Sequence, residues 1–206
     1  MSEIQGNNSE ILMMEQRSVD WFNARCGVIT GSAVMRLITR TGRPCAQADG
    51  YINQLLSERL TGNVEESFIS FAMQRGIDME PEALASYMAH TNQQVKAVGF
   101  VKHNEYEIGC SPDGIGEDRG VEIKVPMPHN HVSYLRANKC PDKYYGQVQM
   151  CMWLTGKKLW DFYSYSDVMR PLSITVPYDP EWISKMVEIV IPIHDEIQKL
   201  HQQFKL

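Results

Sequence analysis

Between residues 93 and 126 the apolar side chains stop repeating at helical spacing and begin to alternate. "QQVKAVGFVKH" alternates, "EYEIGCSPDG" ends in turn formers, and "RGVEIKVP" alternates again; these are three strands with at least one covered face. In the third, Val121, Ile123 and Val125 share one face, and Glu122 and Lys124 share the other. A sheet in the middle of an otherwise helical chain must cover its apolar face with those helices. The expected class is therefore a mixed α/β core, a mixed central sheet flanked by helices.

The flanking segments supply the helices. "RSVDWFNARCGVITGSAVMRLITR" predicts two short ones, the first capped by Ser18 and ended by Gly27, the second starting at Gly31 or Ser32. "TRTGRPCAQADG" predicts a loop, and "YINQLLSERLTG" a helix stopped by Gly62. "EESFISFAMQRGIDMEPEALASYMAHT" predicts helix across an interruption at Gly76, with Pro81 at a kink or in a first turn. "DKYYGQVQMCMWLTG" predicts a helix stopped by Gly156. "KKLWDFYSYS" and "RPLSITVPYD" predict two more strands. The closing segment carries an apolar stripe from Trp182 to Leu200, broken or bent near Pro192. With 206 residues and no internal repeat, one domain spanning 1–206 is expected, with 1–10 loose.

A net charge of −5 argues against a general polyanion binder, though a local basic channel on an acidic body is compatible with it. Five cysteines (Cys26, Cys45, Cys110, Cys140, Cys151) with no CxxC spacing argue against a zinc or disulfide framework. Most read as buried thiols in a reducing compartment. "MSEIQGNNSEILMMEQ" has no apolar core of a signal peptide, and no apolar run reaches spanning length. A soluble cytoplasmic protein, of a bacterial cell or a phage-infected host, is expected, with no membrane partner.

The chemistry concentrates in "CSPDGIGEDRGVEIKVP", residues 110–126. Asp113 ends one strand; Glu122 and Lys124 lie two apart on the next, and the turn-like "GIGEDRGV" between them allows a hairpin that brings Asp113 near Glu122. Two carboxylates aimed at one point repel unless a cation sits between them, and a hard divalent ion takes such oxygens. Such a site would suit phosphodiester cleavage, with the lysine positioning or helping to deprotonate the attacking water. The competing reading is a surface hairpin with charges on its solvent face.

"SPDG…VEIKVP" resembles the PD-(D/E)XK nuclease signature, with Pro112–Asp113 and Glu122-Ile123-Lys124. Three further segments resemble the lambda-exonuclease-like (YqaJ-type) viral recombinase branch. "RCGVITGS" at 25–32 is similar to its phosphate-binding motif, "RGIDMEPEA" at 75–83 to its acidic helix, and "GQVQMCMWLTG" at 146–156 to the helix after its catalytic strand. The resemblance runs in order from about residue 15 to 165. It implies that Asp113 bridges two metals, and that Glu122 and the Ile123 carbonyl bind one. Glu80 would help hold the other, Lys124 would orient the water, and Gln147 would steady the site; a solvated helix face is the plain alternative for Gln147. It further implies that Arg25, Ser32 and Ser111 surround a terminal 5′-phosphate, which suits a forked guanidinium and a helix-start anion site. A surface arginine and an ordinary N-cap remain open for the first two.

Met73 falls where the family places an apolar wedge at the duplex end, although a core methionine is the default. Arg40 and Arg43 sit in a loop that could track DNA. His129 and His131 have no partner spacing for metal and read as near-site or substrate-facing at best. The resemblance implies a Mg²⁺-dependent 5′→3′ exonuclease on double-stranded DNA, with two ions per site and Mn²⁺ as a substitute. It also implies a homotrimeric ring around DNA ends and a single-strand annealing protein as partner. The alternatives are an endonuclease or single-strand nuclease on the same fold, and a DNA-binding scaffold with an inactive site.

Overall fold

The computed structural model describes residues 8–64 and 70–206. Its elements, in chain order, are β1 (Ser9–Leu12), α1 (Val19–Arg25), β2 (Ile29–Thr30), a 3-10 helix (Gly31–Arg36), α2 (Ala48–Thr61), α3 (Phe71–Thr91), β3 (Val95–Lys96), β4 (Phe100–His103), β5 (Ile108–Cys110), β6 (Gly114–Gly116), β7 (Arg119–Lys124), α4 (Pro128–Ala137), α5 (Asp142–Thr155), β8 (Leu159–Ser164), β9 (Leu172–Pro177) and α6 (Pro180–Phe204). Two sheets form among the described residues, one in the order β1-β4-β5-β2 and one in the order β3-β6-β7-β8-β9. The expected α/β class holds, with the sheet divided in two. None of the described helices is long and apolar enough to cross a membrane.

The division occurs inside "QQVKAVGFVKH", which the alternation predicts as one strand. Val95–Lys96 pairs with β6 in one sheet, and Phe100–His103 pairs with β1 and β5 in the other. Gly99 makes the crossing possible. A Cβ there would lie 2.5 Å from the Met14 carbonyl oxygen and 2.8 Å from that of Leu12, so the N-terminal segment passes over it at a distance no side chain allows. Ser9 and Glu10 pair with His103 and Lys102, where the sequence reading expected loose chain.

Helix ends follow their signals. Ser18 caps α1 by accepting the Trp21 N–H, and Gly62 and Gly156 adopt the left-handed conformation that closes α2 and α5. Helix α3 runs through Gly76 and Pro81, and α6 through Pro192. Neither long helix is broken at these positions; both prolines are exposed, so the carbonyls they leave unpaired can face water. The part of the predicted α3 over 65–69 lies outside the described residues. Residues 31–36 form a 3-10 helix rather than an α-helix.

Strands β7 and β8 run parallel over six residue pairs, from Arg119 beside Leu159 to Lys124 beside Ser164. A parallel pair needs a crossover, and α4 and α5 provide it. The main core packs α2, α5 and α6 around Trp153, Trp160, Phe162 and Trp182. A second cluster joins α3 to the β7 and β8 side through Ala83, Tyr87, Val121, Ile123 and Tyr163. Strand β7 thus lies between α3 on its apolar face and α5 on the other. All five cysteines are free thiols, but only Cys110 and Cys151 are fully buried.

Candidate active site

Asp113 lies in the turn between β5 and β6, and its Oδ2 accepts the Ile123 N–H at 2.5 Å. The hairpin therefore brings Asp113 to the strand that carries Glu122 and Lys124. Glu122 is fully buried. Its Oε2 accepts a hydrogen bond of 2.7 Å from Gln147 Nε2, one turn into α5. Its Oε1 forms an ion pair with the Lys124 ammonium but accepts no well-directed hydrogen bond. That ammonium also lies 5.2 Å from the ring centre of Tyr144. Asp113 and Lys124 line a cleft of about 420 Å³, together with Met73, Glu80, Tyr144 and Arg17.

Residues 120–123 of β7 are buried on both faces, and Glu122 does not line the cleft. Helix α5 covers the Glu122 face; Gln147 donates to one oxygen of the carboxylate, and the other faces the Lys124 ammonium without a well-directed hydrogen bond. The hairpin is not a solvated surface feature.

Burial and the neighbouring Glu122 push the Asp113 carboxyl well above the usual carboxylate range. Burial also raises Glu122, with Lys124 working against it. Burial opposes the Lys124 charge, yet the carboxylates of Glu122 and Asp113 outweigh it and hold its pKa above the ordinary lysine value.

The donor chemistry fits a divalent, oxygen-seeking cation. The Asp113 and Glu122 carboxylates are destabilised as anions, and one buried Glu122 oxygen lacks a directed hydrogen bond; a cation relieves both. Glu80 is not yet part of such a set, because its carboxylate pairs with Arg17. Accordingly, no three acidic, histidine or cysteine side chains converge as a ready-made metal cluster among the described residues.

A stability prediction follows from the raised Asp113 pKa. A carboxyl raised in the folded state stabilises the fold below the ordinary carboxylate pKa and loses that contribution as pH rises through its folded value. Asp113→Asn removes the charge and keeps an oxygen for the Ile123 N–H. In EDTA at neutral pH it is expected to melt a few degrees above wild type, since each kcal/mol is worth about 2–4 °C at this size. The gain should vanish as pH falls toward 4. Thermal melts across that range check it, and a variant that melts lower at neutral pH contradicts it.

The second constellation lies beside the first. Arg25 Nη1 donates to Ser111 Oγ at 2.9 Å, and Trp21 Nε1 donates to the same oxygen at 3.0 Å. The guanidinium sits 4.1 Å from the Trp21 ring centre. Burial lowers its pKa, though an arginine in a protein stays charged. Half-buried, it forms no ion pair among the described residues. Ser32 is exposed in the 3-10 helix, with Thr30 Oγ1 at 3.4 Å. Strands β2 and β5 are parallel with Thr30 beside Gly109, so the chains leading to Ser32 and Ser111 leave the same end of that pair.

The sequence profile of the YqaJ-like viral recombinase domain matches residues 20–158. The chain belongs to this family. An alkaline exonuclease from Laribacter hongkongensis, LHK-Exo, has a similar structure at a TM-score of 0.77 and 31% identity, covering 90% of this chain and 97% of that one. The same enzyme in complex with dAMP gives a TM-score of 0.78. A phage-related exonuclease from Haemophilus somnus 129PT shares the fold at a TM-score of 0.66 and 16% identity, over 86% of this chain and 96% of that one. No curated protein sequence matches the chain.

In this YqaJ-like chain the remaining candidates separate. Met73 is not a core residue: it is 52% exposed in the first turn of α3 and lines the cleft. Phe71, 77% exposed two residues before it, escaped the sequence reading. Arg40 stacks 3.4 Å over the Tyr145 ring centre and lies 3.9 Å from Asp142, while Arg43 is held by its backbone to Thr39; neither lines the cleft. A larger cavity of about 470 Å³ beside Glu58 and Arg59 lies apart from these residues. Its charges are already engaged, with Glu58 accepting the Gly27 N–H and Arg59 donating to the Gly27 carbonyl.

His129 is exposed, but His131 is fully buried and faces no substrate. Its ring nitrogens meet Ser164 Oγ at 2.7 Å and the Arg170 carbonyl at 3.0 Å, tying α4 to the end of β8. His131→Ala is expected to cost about 2–4 kcal/mol by leaving a cavity and an unpaired carbonyl. Urea unfolding measures that loss, and Mn²⁺ affinity of the folded variant should stay at the wild-type value.

Proposed function

We propose that this chain is a Mg²⁺-dependent exonuclease that degrades one strand of double-stranded DNA in the 5′→3′ direction. It would release mononucleotides and leave 3′ overhangs for a single-strand annealing partner. The observation that carries this reading is the spacing of two sites on one loop. Ser111, bonded to the unpaired Arg25 guanidinium, is two residues from Asp113. Two residues span at most about 7 Å, so a terminal phosphate at Arg25 would lie close to the carboxylates that act on the chain. The dAMP bound by LHK-Exo is a nucleoside monophosphate, the form of product proposed here.

When bound, Mg²⁺ neutralises charge developing on the phosphate and lowers the pKa of water. Asp113, Glu122 and the Ile123 carbonyl would hold it, with Glu80 joining at a second ion. Mn²⁺ would substitute. Gln147 fixes the rotamer of Glu122. Lys124, with its raised pKa, stays charged while paired, so it orients water and stabilises charge as a donor rather than taking up a proton. Met73 would meet the duplex end.

The net charge of −5 opposes a lone monomer tracking DNA. A homotrimeric ring would replace weak attraction with enclosure. The test pairs digestion with a mass measurement. With Mg²⁺, a linear duplex should shorten progressively and a covalently closed circle should survive; the mass should be three times 23.6 kDa. Cutting of the circle would instead indicate an endonuclease, and retention of DNA without cleavage a binding scaffold. A monomeric mass with processive digestion intact removes the ring.

A further inference from the structure

Among the described residues three non-glycine residues have positive φ: Asn92 and Asn138, which close helices, and Arg17 at 70°. Asparagine is at ease there; a long side chain such as arginine is not. Both neighbours hold it in place. Gln16 Nε2 donates to the carbonyls of Val98 and Pro112, both at 2.9 Å. Ser18 donates to the Glu15 carbonyl at 2.7 Å while capping α1. One of these anchors, Pro112, immediately precedes Asp113. Strain maintained by its surroundings at such a place points toward function.

The Arg17 guanidinium pairs with Glu80 from the middle of α3. Arg17, Glu80 and Asp113 border the cleft that contains Lys124, and also a second cavity of about 360 Å³. The ion pair therefore stands between the two spaces. Its side chains are 39% and 26% exposed, so the arginine can turn away without opening the core.

We propose that Arg17 is the built-in counter-ion of Glu80: it covers this carboxylate in the metal-free cleft, yields it to a divalent cation, and then turns its guanidinium to the phosphate of the nucleotide alongside. This rests on the metal-dependent reading above. Glu80 shares the cleft with Asp113 and Lys124, so pairing with Arg17 keeps its charge from adding to that of the carboxylates there. A divalent ion at Glu80 would repel the guanidinium, whose forked donors then match phosphate oxygens. Metal and phosphate binding become linked, each favouring the other.

The experiment measures Mn²⁺ binding by the paramagnetic resonance of free Mn²⁺, without DNA or turnover, in the absence and presence of dAMP. It compares wild type, Arg17→Gln and Arg17→Gly, the last suited to the left-handed backbone and so not dependent on glutamine being tolerated. Wild type should bind Mn²⁺ more tightly when dAMP is present. Both variants should bind Mn²⁺ about three- to fivefold more tightly without dAMP, the scale of one partly exposed ion pair, and lose the effect of dAMP. A merely structural arginine would give the opposite sign, because its loss would loosen the site. Unchanged or weaker Mn²⁺ binding in the variants, or an undiminished dAMP effect, overturns the proposal while the metal reading stands. Wild type that binds no Mn²⁺ overturns both.

Discussion

Glu122→Gln is expected to cripple Mg²⁺-dependent cleavage of linear duplex DNA, with a rate loss of about a hundred- to a thousandfold, the scale on which a single electrostatic group in a reaction centre acts. Glutamine has the same shape and can still accept the Gln147 amide, so packing is preserved. What disappears is the charge. The site loses one of the two carboxylates that would hold the cation, and Lys124 loses the counter-charge it is paired with. Burial then opposes the Lys124 charge with only Asp113 to offset it, so its pKa falls. Metal-free stability should not rise here as it does for Asp113→Asn, because a buried ammonium stripped of its partner is costly. The pair of variants thus separates catalysis from folding: both crippled in cleavage, with opposite effects on the melting temperature in EDTA. Near-normal Mg²⁺-dependent rates in either would show that these carboxylates are not the ligands.

That contrast depends on the burial of Glu122, which the sequence conceals. The alternation in "VEIKVP" is the same whether the polar side of a strand meets water or a helix that satisfies it. Here α5 covers it, and Gln147 takes one oxygen while Lys124 takes the other. The identity of the charged trio was legible because Asp113, Glu122 and Lys124 are close in sequence and joined by a turn. Long helices with glycine stops, such as α2 and α5, were legible for the same local reason. Strands β1, β2 and β6 were not; each has only two to four residues, too few to show a period. The switch of sheets at Gly99 depends on backbone arriving from residues 12–14, which no local pattern reports. Helix α4 was missed although Pro128 at its start and Asn138 at its end are helix punctuation. Arg17 was hidden twice over: nothing in an arginine announces a positive φ, and its partner Glu80 lies 63 positions away.

Arg25→Ala is expected to slow digestion of 5′-phosphorylated duplex about ten- to a hundredfold and to leave 5′-hydroxyl duplex much less affected. Arg25 is already held by Ser111 and stacked on Trp21, so its position is set before any DNA arrives. No carboxylate competes for it among the described residues, unlike Arg17 at Glu80 or Arg119 at Asp161. A preorganised, partly desolvated guanidinium gains a charge-assisted contact worth about 1.5–3 kcal/mol when it meets a phosphate. If the contact is fully retained in the transition state, that energy converts to the stated rate factor. A 5′-hydroxyl end offers no anion, so removing the arginine removes little. The same loss should not appear in Mn²⁺ affinity measured without DNA, since Arg25 lies at Ser111 rather than at the carboxylates. The measurement is a comparison of four rates, two proteins against two DNA ends. A wild type indifferent to the phosphate, or a variant that keeps the full preference, would assign Arg25 to holding Ser111 and Trp21 together rather than to gripping the end of the strand.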